Sequence, residues 1–254
     1  MSQRPPAHDP VPHPLTPAQR RRAERSAQIL RVARGLLADG GYLHLNMDRV
    51  ADRIGVSKGT IYQHFSSKED LIAALVPDTA EARLGMFRRA GAFHRPSRER
   101  VTAIGVADDV FVRRFPDHFA VESLLDIGSV FAKVDPLRRE HYAAIKGRTM
   151  ETLMGVVRDA VDAGDLTLPE GAPLCSPLYG LWTQSVGHHR MDTSLPVPPF
   201  DQIDANATLW MNYARLLDGY GWRPLSTEHD YGAAAARIRD EVFAEEMRGI
   251  TKPD

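Results

Sequence analysis

The most constraining feature of this chain is a pair of short amphipathic segments that meet at one glycine, in the run NMDRVADRIGVSKGTIYQHF of residues 46–65. The apolar residues of both segments recur at helical spacing. They are Val50, Ala51 and Ile54 in the first segment, and Val56, Ile61 and Phe65 in the second. Ala51 is small enough to let two helices cross closely, and Gly55 permits a sharp turn between them. The sequence therefore predicts two short helices joined by a tight turn.

This construction is that of a helix-turn-helix, whose second helix enters the major groove of DNA. The outward face of the second helix fits that role, since Lys58 and Gln63 can hydrogen-bond base edges and Thr60 can offer a hydroxyl or a methyl group. Tyr62 and His64 can donate to phosphate oxygens, which set register rather than sequence. The structural alternative is a helix corner in an unrelated helical protein.

Four further positions are predicted to lie against DNA. Gly59 leaves room for close approach to the groove. The backbone N–H groups of Asn46 and Met47 begin the first short helix, and a helix N-terminus attracts phosphate. Lys68, at the start of the following helix, is placed to meet another phosphate.

The N-terminal sequence resembles the DNA-binding domain of the TetR/AcrR family of regulators over about 45 residues. The matching positions are Ile29-Leu30, Ala33, Gly41-Tyr42, Val50-Ala51, Ile54-Gly55-Val56-Ser57, Gly59-Thr60-Ile61-Tyr62, His64-Phe65 and Lys68-Glu69-Asp70-Leu71. The family's aromatic pair in the recognition helix corresponds to Tyr62 and Phe65.

The resemblance implies an all-helical homodimer that represses transcription and releases its operator when a small molecule enters the C-terminal domain. It implies base or backbone contacts for Lys58 and Thr60, and phosphate contacts for Tyr62, His64 and Lys68. The sequence also departs from the family pattern. Asn46-Met47 replaces the usual Thr-Thr or Thr-Val, Asp48 is acidic near the groove, and Pro77 interrupts the helix that usually couples the two domains.

The remaining pattern is helical nearly throughout, so we expect an all-α fold with a three-helix DNA-binding head and a larger helical body. The predicted divisions are a disordered tail (1–15), a helix-turn-helix domain (16–75) and an effector-binding and dimerisation domain (76–254). The predicted body helices cover residues 97–114, 116–129, 135–164, 176–189, 203–220 and 228–248, after a fourth helix that Pro77 should kink or split. The apolar stripe of the long helix is Tyr142, Ile145, Thr149, Leu153, Val157 and Val161.

Two sets of body residues are candidate sites. The predicted dimer interface lies on the helices near 176–189 and 203–220, where small and apolar residues suit close packing. Its members are Gly180, Leu181, Gly187, Leu209, Tyr213, Leu216 and Leu217, with intramolecular core as the alternative. Aromatic and Met side chains suit an apolar or amphipathic effector. The candidate pocket residues are Phe111, Phe119, Met150, Met154 and Trp182, each of which can equally be plain core.

Composition and charge limit the other functional classes. Residues 16–72 carry ten Lys/Arg and six Asp/Glu, a balance of +4, whereas residues 73–254 carry 21 and 26, a balance of −5. A basic N-terminal part suits a polyanion, although +4 is modest enough to be scatter. A single cysteine, the absence of a signal peptide and the absence of a long apolar run predict a cytoplasmic protein without a membrane segment.

Metal binding, catalysis and cofactors are not expected. Cys175, His188, His189 and Met191 offer ligand atoms, but adjacent histidines point to different faces of a helix, so we predict no metal site. A Cys175–His188–Asp192 arrangement lacks an oxyanion site, and the chain has no glycine-rich phosphate loop, so we predict no enzyme and no cofactor. The remaining alternative is a helical protein-interaction module that does not read DNA.

Overall fold

The computed structural model describes residues 16–192, 198, 200–248 and 250. The described residues are helical without a β-strand, which confirms the predicted all-α class. The chain divides into two compact units, one up to Leu71 and one from Ile72 onward, where the sequence placed the boundary after residue 75. The predicted tail (1–15) lies outside the described residues, as does most of the proline-rich stretch at 193–199.

The N-terminal unit is built on one long helix followed by short ones. Its elements are α1 (Pro17–His44), α2 (Met47–Ile54), α3 (Lys58–Tyr62) and the beginning of α4 (Lys68–Ala73). Thr16 caps α1 through a capping box with Gln19. The helical path breaks at Gly40 and Gly41, where Gly41 has a φ of 65°, a conformation that favours glycine.

A small core holds these helices together. Ile29 and Ala33 of α1 are completely buried, and so are Val50 of α2 and Ile61 of α3. Phe65 closes this core after α3. The predicted inner faces of α2 and α3 are therefore confirmed, although Ile54 and Val56, which flank the turn, are only half-buried.

Pro77 splits the predicted fourth helix, as expected from its missing N–H group. Helix α4 ends at Ala73 and the C-terminal unit continues with α5, which has Pro77 in its first turn. The elements of this unit are α5 (Pro77–Gly91), α6 (Ser97–Arg114), α7 (Pro116–Leu125), α8 (Gly128–Phe131), α9 (Pro136–Asp162), α10 (Ser176–Asp192), a 3-10 turn (Phe200–Gln202), α11 (Ala205–Gly219), α12 (Tyr231–Val242) and α13 (Ala244–Met247).

Helix α6 is the centre of the C-terminal unit and contacts α5, α7, α9, α10, α12 and α13. Most of its side chains are buried, including the charged Arg98, Asp108 and Asp109. Arg98 is completely buried and donates to the backbone oxygens of Ala214 and Pro224, at 2.9 and 2.8 Å. It also forms an ion pair with Asp218 at 2.7 Å. A buried guanidinium therefore ties α6 to the end of α11 and the loop that follows.

Three sequence predictions about these helices are wrong in detail. The helix predicted for 116–129 ends at Leu125, and α8 begins separately at Gly128. Val161 of the predicted α9 stripe is 38% exposed, because the buried face of the last turns of α9 passes through Val157 and Ala160 instead. The single helix predicted for 228–248 is two helices, α12 and α13, separated at the buried Phe243. Across the described residues, no helix is both long and apolar enough to cross a membrane.

Candidate functional site

Side-chain caps and one left-handed glycine fix the geometry of α2 and α3. The Asn46 side chain accepts from the backbone N–H of Arg49, and the Ser57 hydroxyl accepts from that of Thr60. Between the helices, Gly55 has a φ of 76°, and its N–H returns to the carbonyls at the end of α2. Thus each helix begins at a defined residue and the turn is fixed by backbone geometry.

The outward face of α3 exposes most of the residues that the sequence predicted. Lys58, Gly59 and Gln63 are exposed, and Tyr62 is 45% exposed. A Cβ atom added at Gly59 meets only the Ser57 hydroxyl, at 3.7 Å, so the fold itself does not demand glycine there. Because Gly59 has no side chain, nothing projects from the outer surface of α3 at this position. These side chains form a polar surface with one aromatic group.

Lys58 is not a free cation in this state. Its Nζ atom lies 2.8 Å from a carboxylate oxygen of Asp48 on α2. The hydrogen bond that Lys58 donates to Asp48 raises the pKa of Lys58 above its ordinary value. Because both side chains are more than half exposed, the ion pair is a weak, solvent-screened contact. Asp48, which departs from the family pattern by being acidic, is therefore paired with Lys58 of α3.

Three predicted DNA-contact residues are engaged within the unit, which corrects their expected exposure. The Met47 side chain is 5% exposed and belongs to the core, so only its backbone N–H is available at the start of α2. His64 Nδ1 lies 2.8 Å from the Ser26 hydroxyl on α1. Lys68 donates to the backbone oxygen of Tyr42 at 2.7 Å.

Burial and neighbouring charges act on two of these groups. Desolvation lowers the pKa of His64, and the cations Arg22 and Arg25 lower it further. Desolvation also lowers the pKa of Lys68, whose Nζ lies 3.6 Å from the centre of the Tyr42 ring. His64 is therefore a packed, neutral imidazole near neutral pH, and Lys68 packs against α1.

The sequence reasoning did not assign a role to Arg22, which the structure places beside α3. Its guanidinium donates to the backbone oxygen of Gln63 at 3.0 Å. Arg20, Arg21 and Arg22 are all exposed on the first turns of α1. The run of arginines was the available signal, and its position next to α3 required the fold.

The C-terminal unit contains a cavity of about 570 Å³ between α5, α6, α7, α9, α10 and α11. Its lining is mainly apolar and aromatic, with Phe87, Ile104, Ile145 and Leu178 among the members. Of the predicted pocket residues, Phe119, Met150 and Trp182 line this cavity. Phe111 is completely buried beside it, and Met154 packs against the core, so neither lines it. Whether these residues bind an effector stays a prediction.

A charged cluster lies at one wall of the cavity. Arg83 donates from Nε to Asp108 at 3.0 Å and from Nη1 to Glu122 at 2.7 Å. The second oxygen of Asp108 accepts from the Ser185 hydroxyl at 2.6 Å. Although burial opposes ionisation, Arg83 and its hydrogen bonds hold the pKa of Asp108 below its usual value. Burial raises the pKa of Glu122 despite the same arginine, so Glu122 is the carboxyl of this cluster more easily protonated.

Most of the predicted dimer-interface residues are core within one chain. Leu181, Leu209, Tyr213 and Leu217 are at most 5% exposed. Gly180 provides intramolecular clearance, because a Cβ atom there would lie 2.2 Å from the Tyr220 hydroxyl. Leu216 is half-buried, and Gly187 is exposed with open space at its Cα. The buried residues pack within one chain, which was the alternative that the sequence left open, while Leu216 and Gly187 stay candidates for a subunit contact.

Large apolar side chains nevertheless remain exposed on these two helices. Tyr179 is 74% exposed, Met191 52%, Met211 44% and Trp182 43%. Helix α10 also brings His188 and His189 close to Asp109 of α6. Cys175, the other ligand considered from the sequence, is exposed just before α10.

Comparisons with known proteins agree with the geometry of the N-terminal unit. Residues 29–75 match the model of the family described as "Bacterial regulatory proteins, tetR family". The chain is 39% identical over 82 residues to the HTH-type transcriptional activator FasR of Mycolicibacterium smegmatis, covering 32% of this chain and 37% of FasR. It is 30% identical over 76 residues to the HTH-type transcriptional repressor KstR2 of the same organism, covering 30% and 36%. The matches thus span little more than a third of these relatives' own length.

A solved structure extends the likeness in fold to the C-terminal unit. A transcriptional regulator of the TetR/AcrR family from Thermobifida fusca superposes with a TM-score of 0.55 at 24% identity, covering 78% of this chain and 98% of that one. At this identity the likeness concerns the fold alone. It agrees with the predicted architecture of a helix-turn-helix unit followed by a helical body.

Proposed function

Because this chain belongs, through its N-terminal domain, to the tetR family of bacterial regulatory proteins, we propose that it is a DNA-binding transcriptional regulator that responds to a small molecule. The observation that carries the proposal is the exposed outer face of α3. It presents Lys58, Gly59, Tyr62 and Gln63 to solvent on a helix whose inner face is completely packed. Such a helix fits the major groove, where its side chains can hydrogen-bond the edges of the bases.

Phosphate contacts come from the parts around α3. The N-terminus of α2 and the Tyr62 hydroxyl supply donors, and the arginines of α1, of which Arg22 already touches α3, supply positive charge. His64 and Lys68 act mainly by positioning α3 against α1, and they reach DNA only if their present contacts rearrange. Because its target is DNA, the regulator acts in the cytoplasm, where the bacterial chromosome lies.

The direction of regulation is repression. Among the relatives, FasR is named an activator and KstR2 a repressor. Repression requires only that the protein occupy a promoter, whereas activation requires an additional surface for the transcription machinery. An operator–reporter fusion with and without the protein determines the sign directly.

DNA binding through α3 is tested by fluorescence anisotropy on a labelled random duplex over a series of salt concentrations. The affinity should fall steeply with salt, and Lys58→Gln should weaken binding at low salt because it removes a cation from the face of α3 that meets DNA. Lys133→Gln removes an exposed lysine of the C-terminal unit and is the matched control. Salt-independent binding, or equal effects of both variants, would remove DNA reading by α3 from the account.

The effector is an amphipathic molecule that enters the cavity of the C-terminal unit. Its apolar part packs on the aromatic and aliphatic lining, and a hydroxyl or carbonyl group meets the Arg83–Asp108–Glu122 cluster. A neutral polar group is favoured at Arg83, because Arg83 is already neutralised by Asp108. The effector shifts DNA binding only if it binds the DNA-free form more tightly.

Cavity binding is tested with an uncharged fluorescent apolar dye and its displacement by candidate effectors. Met150→Trp narrows the cavity and should weaken dye binding, while Ile203→Trp at an exposed position outside the cavity should not. Equal dye binding by the two variants would place the ligand elsewhere.

The regulator acts as a homodimer through the outward faces of α10 and α11. The candidate contacts are the exposed Tyr179, Gly187 and Met211, rather than the buried leucines predicted from the sequence. A dimer presents two recognition helices to successive major grooves about 34–36 Å apart. Light scattering on the protein and on Tyr179→Glu tests this face, and an unchanged dimer mass for the variant would exclude it.

A further inference from the structure

Three side chains with metal-ligand atoms meet where α6 packs against α10. They are Asp109 of α6 and the adjacent His188 and His189 of α10. One carboxylate oxygen and one imidazole nitrogen from each histidine all lie within 4.8 Å of one another. The two imidazole rings have centroids 5.1 Å apart. The expectation that adjacent histidines must point to different faces does not hold for these rotamers.

Asp109 and His188 each bury a polar atom to which the other described residues form no hydrogen bond. Asp109 is 1% exposed, and only its Oδ1 atom is used, accepting from Arg113 Nε at 2.9 Å. Asp109 Oδ2 and His188 Nε2 are buried and have no hydrogen-bond partner among the described residues. Buried polar atoms are normally paired, so two such atoms side by side call for a ligand.

We propose that Asp109, His188 and His189 bind one divalent transition-metal cation, with Zn²⁺ as the best fit. Two imidazole nitrogens and one carboxylate oxygen are a ligand set that borderline cations prefer, whereas Mg²⁺ and Ca²⁺ prefer oxygen alone. Bonds of about 2.0–2.2 Å set ligand atoms of a tetrahedral ion roughly 3.4 Å apart. The three atoms, which lie within 4.8 Å of one another, must therefore close by up to about 1.4 Å. Rotation of the imidazole rings supplies movements of this size.

Carboxylates outnumber cations around the cluster, which favours a bound cation. The charged groups that act on the two rings are Asp108, Asp109 and Asp192 on the favourable side, with Arg83 and Arg113 opposing. Arg83 is already paired with Asp108 and Glu122, so its repulsion of a cation is reduced, whereas Arg113 shares the Asp109 carboxylate with the cation and lowers its affinity.

A fourth ligand is available on α10 itself. Asp192 follows His188 by one helical turn and is exposed, so its carboxylate or a water molecule can complete a tetrahedral site. None of the three ligand residues lines the cavity, although Asp108, the neighbour of Asp109, does. The metal site is therefore separate from the proposed effector position, and its test does not depend on DNA binding.

The test is a titration of the purified, chelator-treated full chain without an affinity tag, using Zn²⁺ by calorimetry and Co²⁺ by visible absorption. We expect one equivalent of Zn²⁺ to bind, and Co²⁺ to produce the absorption bands of a tetrahedral site with nitrogen ligands. His188→Gln and Asp109→Asn should each weaken binding by about tenfold or more. His141→Gln, which removes an exposed histidine of α9, is the matched control.

Folding is checked by circular dichroism, and His188→Gln is decisive if Asp109→Asn fails to fold, because His188 is only half-buried. Retention of one tight equivalent by His188→Gln would overturn the proposal, since other histidines of the chain would then hold the ion. The absence of saturable Zn²⁺ and Co²⁺ binding by the parent chain would also overturn it. A loss confined to the cluster variants would support it.

Discussion

Lys58 Nζ lies 2.8 Å from a carboxylate oxygen of Asp48, so the lysine of the recognition helix is paired with an acid from the preceding helix. Both residues are exposed on the surface that we propose for DNA. Asp48 therefore opposes binding in two ways: it repels phosphate, and it competes for the Lys58 ammonium group. We therefore expect the Lys58–Asp48 ion pair to lower the affinity of the helix-turn-helix for DNA.

Asp48→Asn should strengthen DNA binding by roughly three- to tenfold, an estimate for removing one repulsive charge near the backbone. The comparison is with Asp52→Asn, which removes a second exposed carboxylate from the same helix. Anisotropy titrations at a single low salt concentration measure both. An equal gain for the two variants would mean that general charge, rather than the Lys58 pairing, controls affinity.

Tyr62→Phe should weaken DNA binding about tenfold and leave the unfolding temperature unchanged. The hydroxyl is removed from a ring that is 45% exposed, so folding does not depend on it. Tyr220→Phe removes a hydroxyl from the C-terminal unit and serves as the control. If Tyr62→Phe binds DNA as the parent does, the Tyr62 hydroxyl is not a phosphate contact.

The N-terminal unit should lose stability as the pH falls through about 6.5. Burial, with Arg22 and Arg25, lowers the pKa of His64 in the folded state. The unfolded chain then binds more protons than the folded one below the ordinary histidine pKa, so the His64 contribution is complete above that pH and is lost below it. Denaturant unfolding of the parent and of His64→Gln over this range should show a smaller pH effect in the variant. Parallel curves would contradict the assignment.

Arg98→Met should destabilise the C-terminal unit by about 3 kcal/mol, the lower end of the range for breaking a buried pair, because Asp218 keeps some access to solvent. Three backbone carbonyls, those of Ala214, Trp222 and Pro224, also lose their donor. Arg158→Met removes an exposed partner of Glu151 and should cost less than about 0.5 kcal/mol. Thermal unfolding followed by tryptophan fluorescence compares the two, and similar losses would argue against an anchoring role for Arg98.

Local sequence signals predicted the N-terminal unit well because each signal acts over a few residues. The Asn46 and Ser57 caps, the positive φ of Gly55 and the apolar spacing around Ile61 all follow from short-range chemistry. The contacts of His64 and Lys68 with α1 join residues far apart in the chain, so the sequence pattern alone did not distinguish them from surface groups.

The C-terminal unit shows the complementary limit. An apolar residue on a helix face, such as Leu181 or Leu217, reads the same whether it packs within a subunit or between two subunits. The ionic cluster around Arg83 and the approach of Asp109 to His188 depend on how α5, α6 and α10 pack. Neither can be inferred from the spacing of residues along one helix.

The measurement that tests the central claim most directly is selection of the purified protein against a random duplex DNA library, repeated at two salt concentrations. The account predicts enrichment of an inverted repeat, with half-sites one helical turn apart and an affinity that falls with salt. A folded, effector-free protein that enriches no sequence and binds DNA without salt dependence would contradict it.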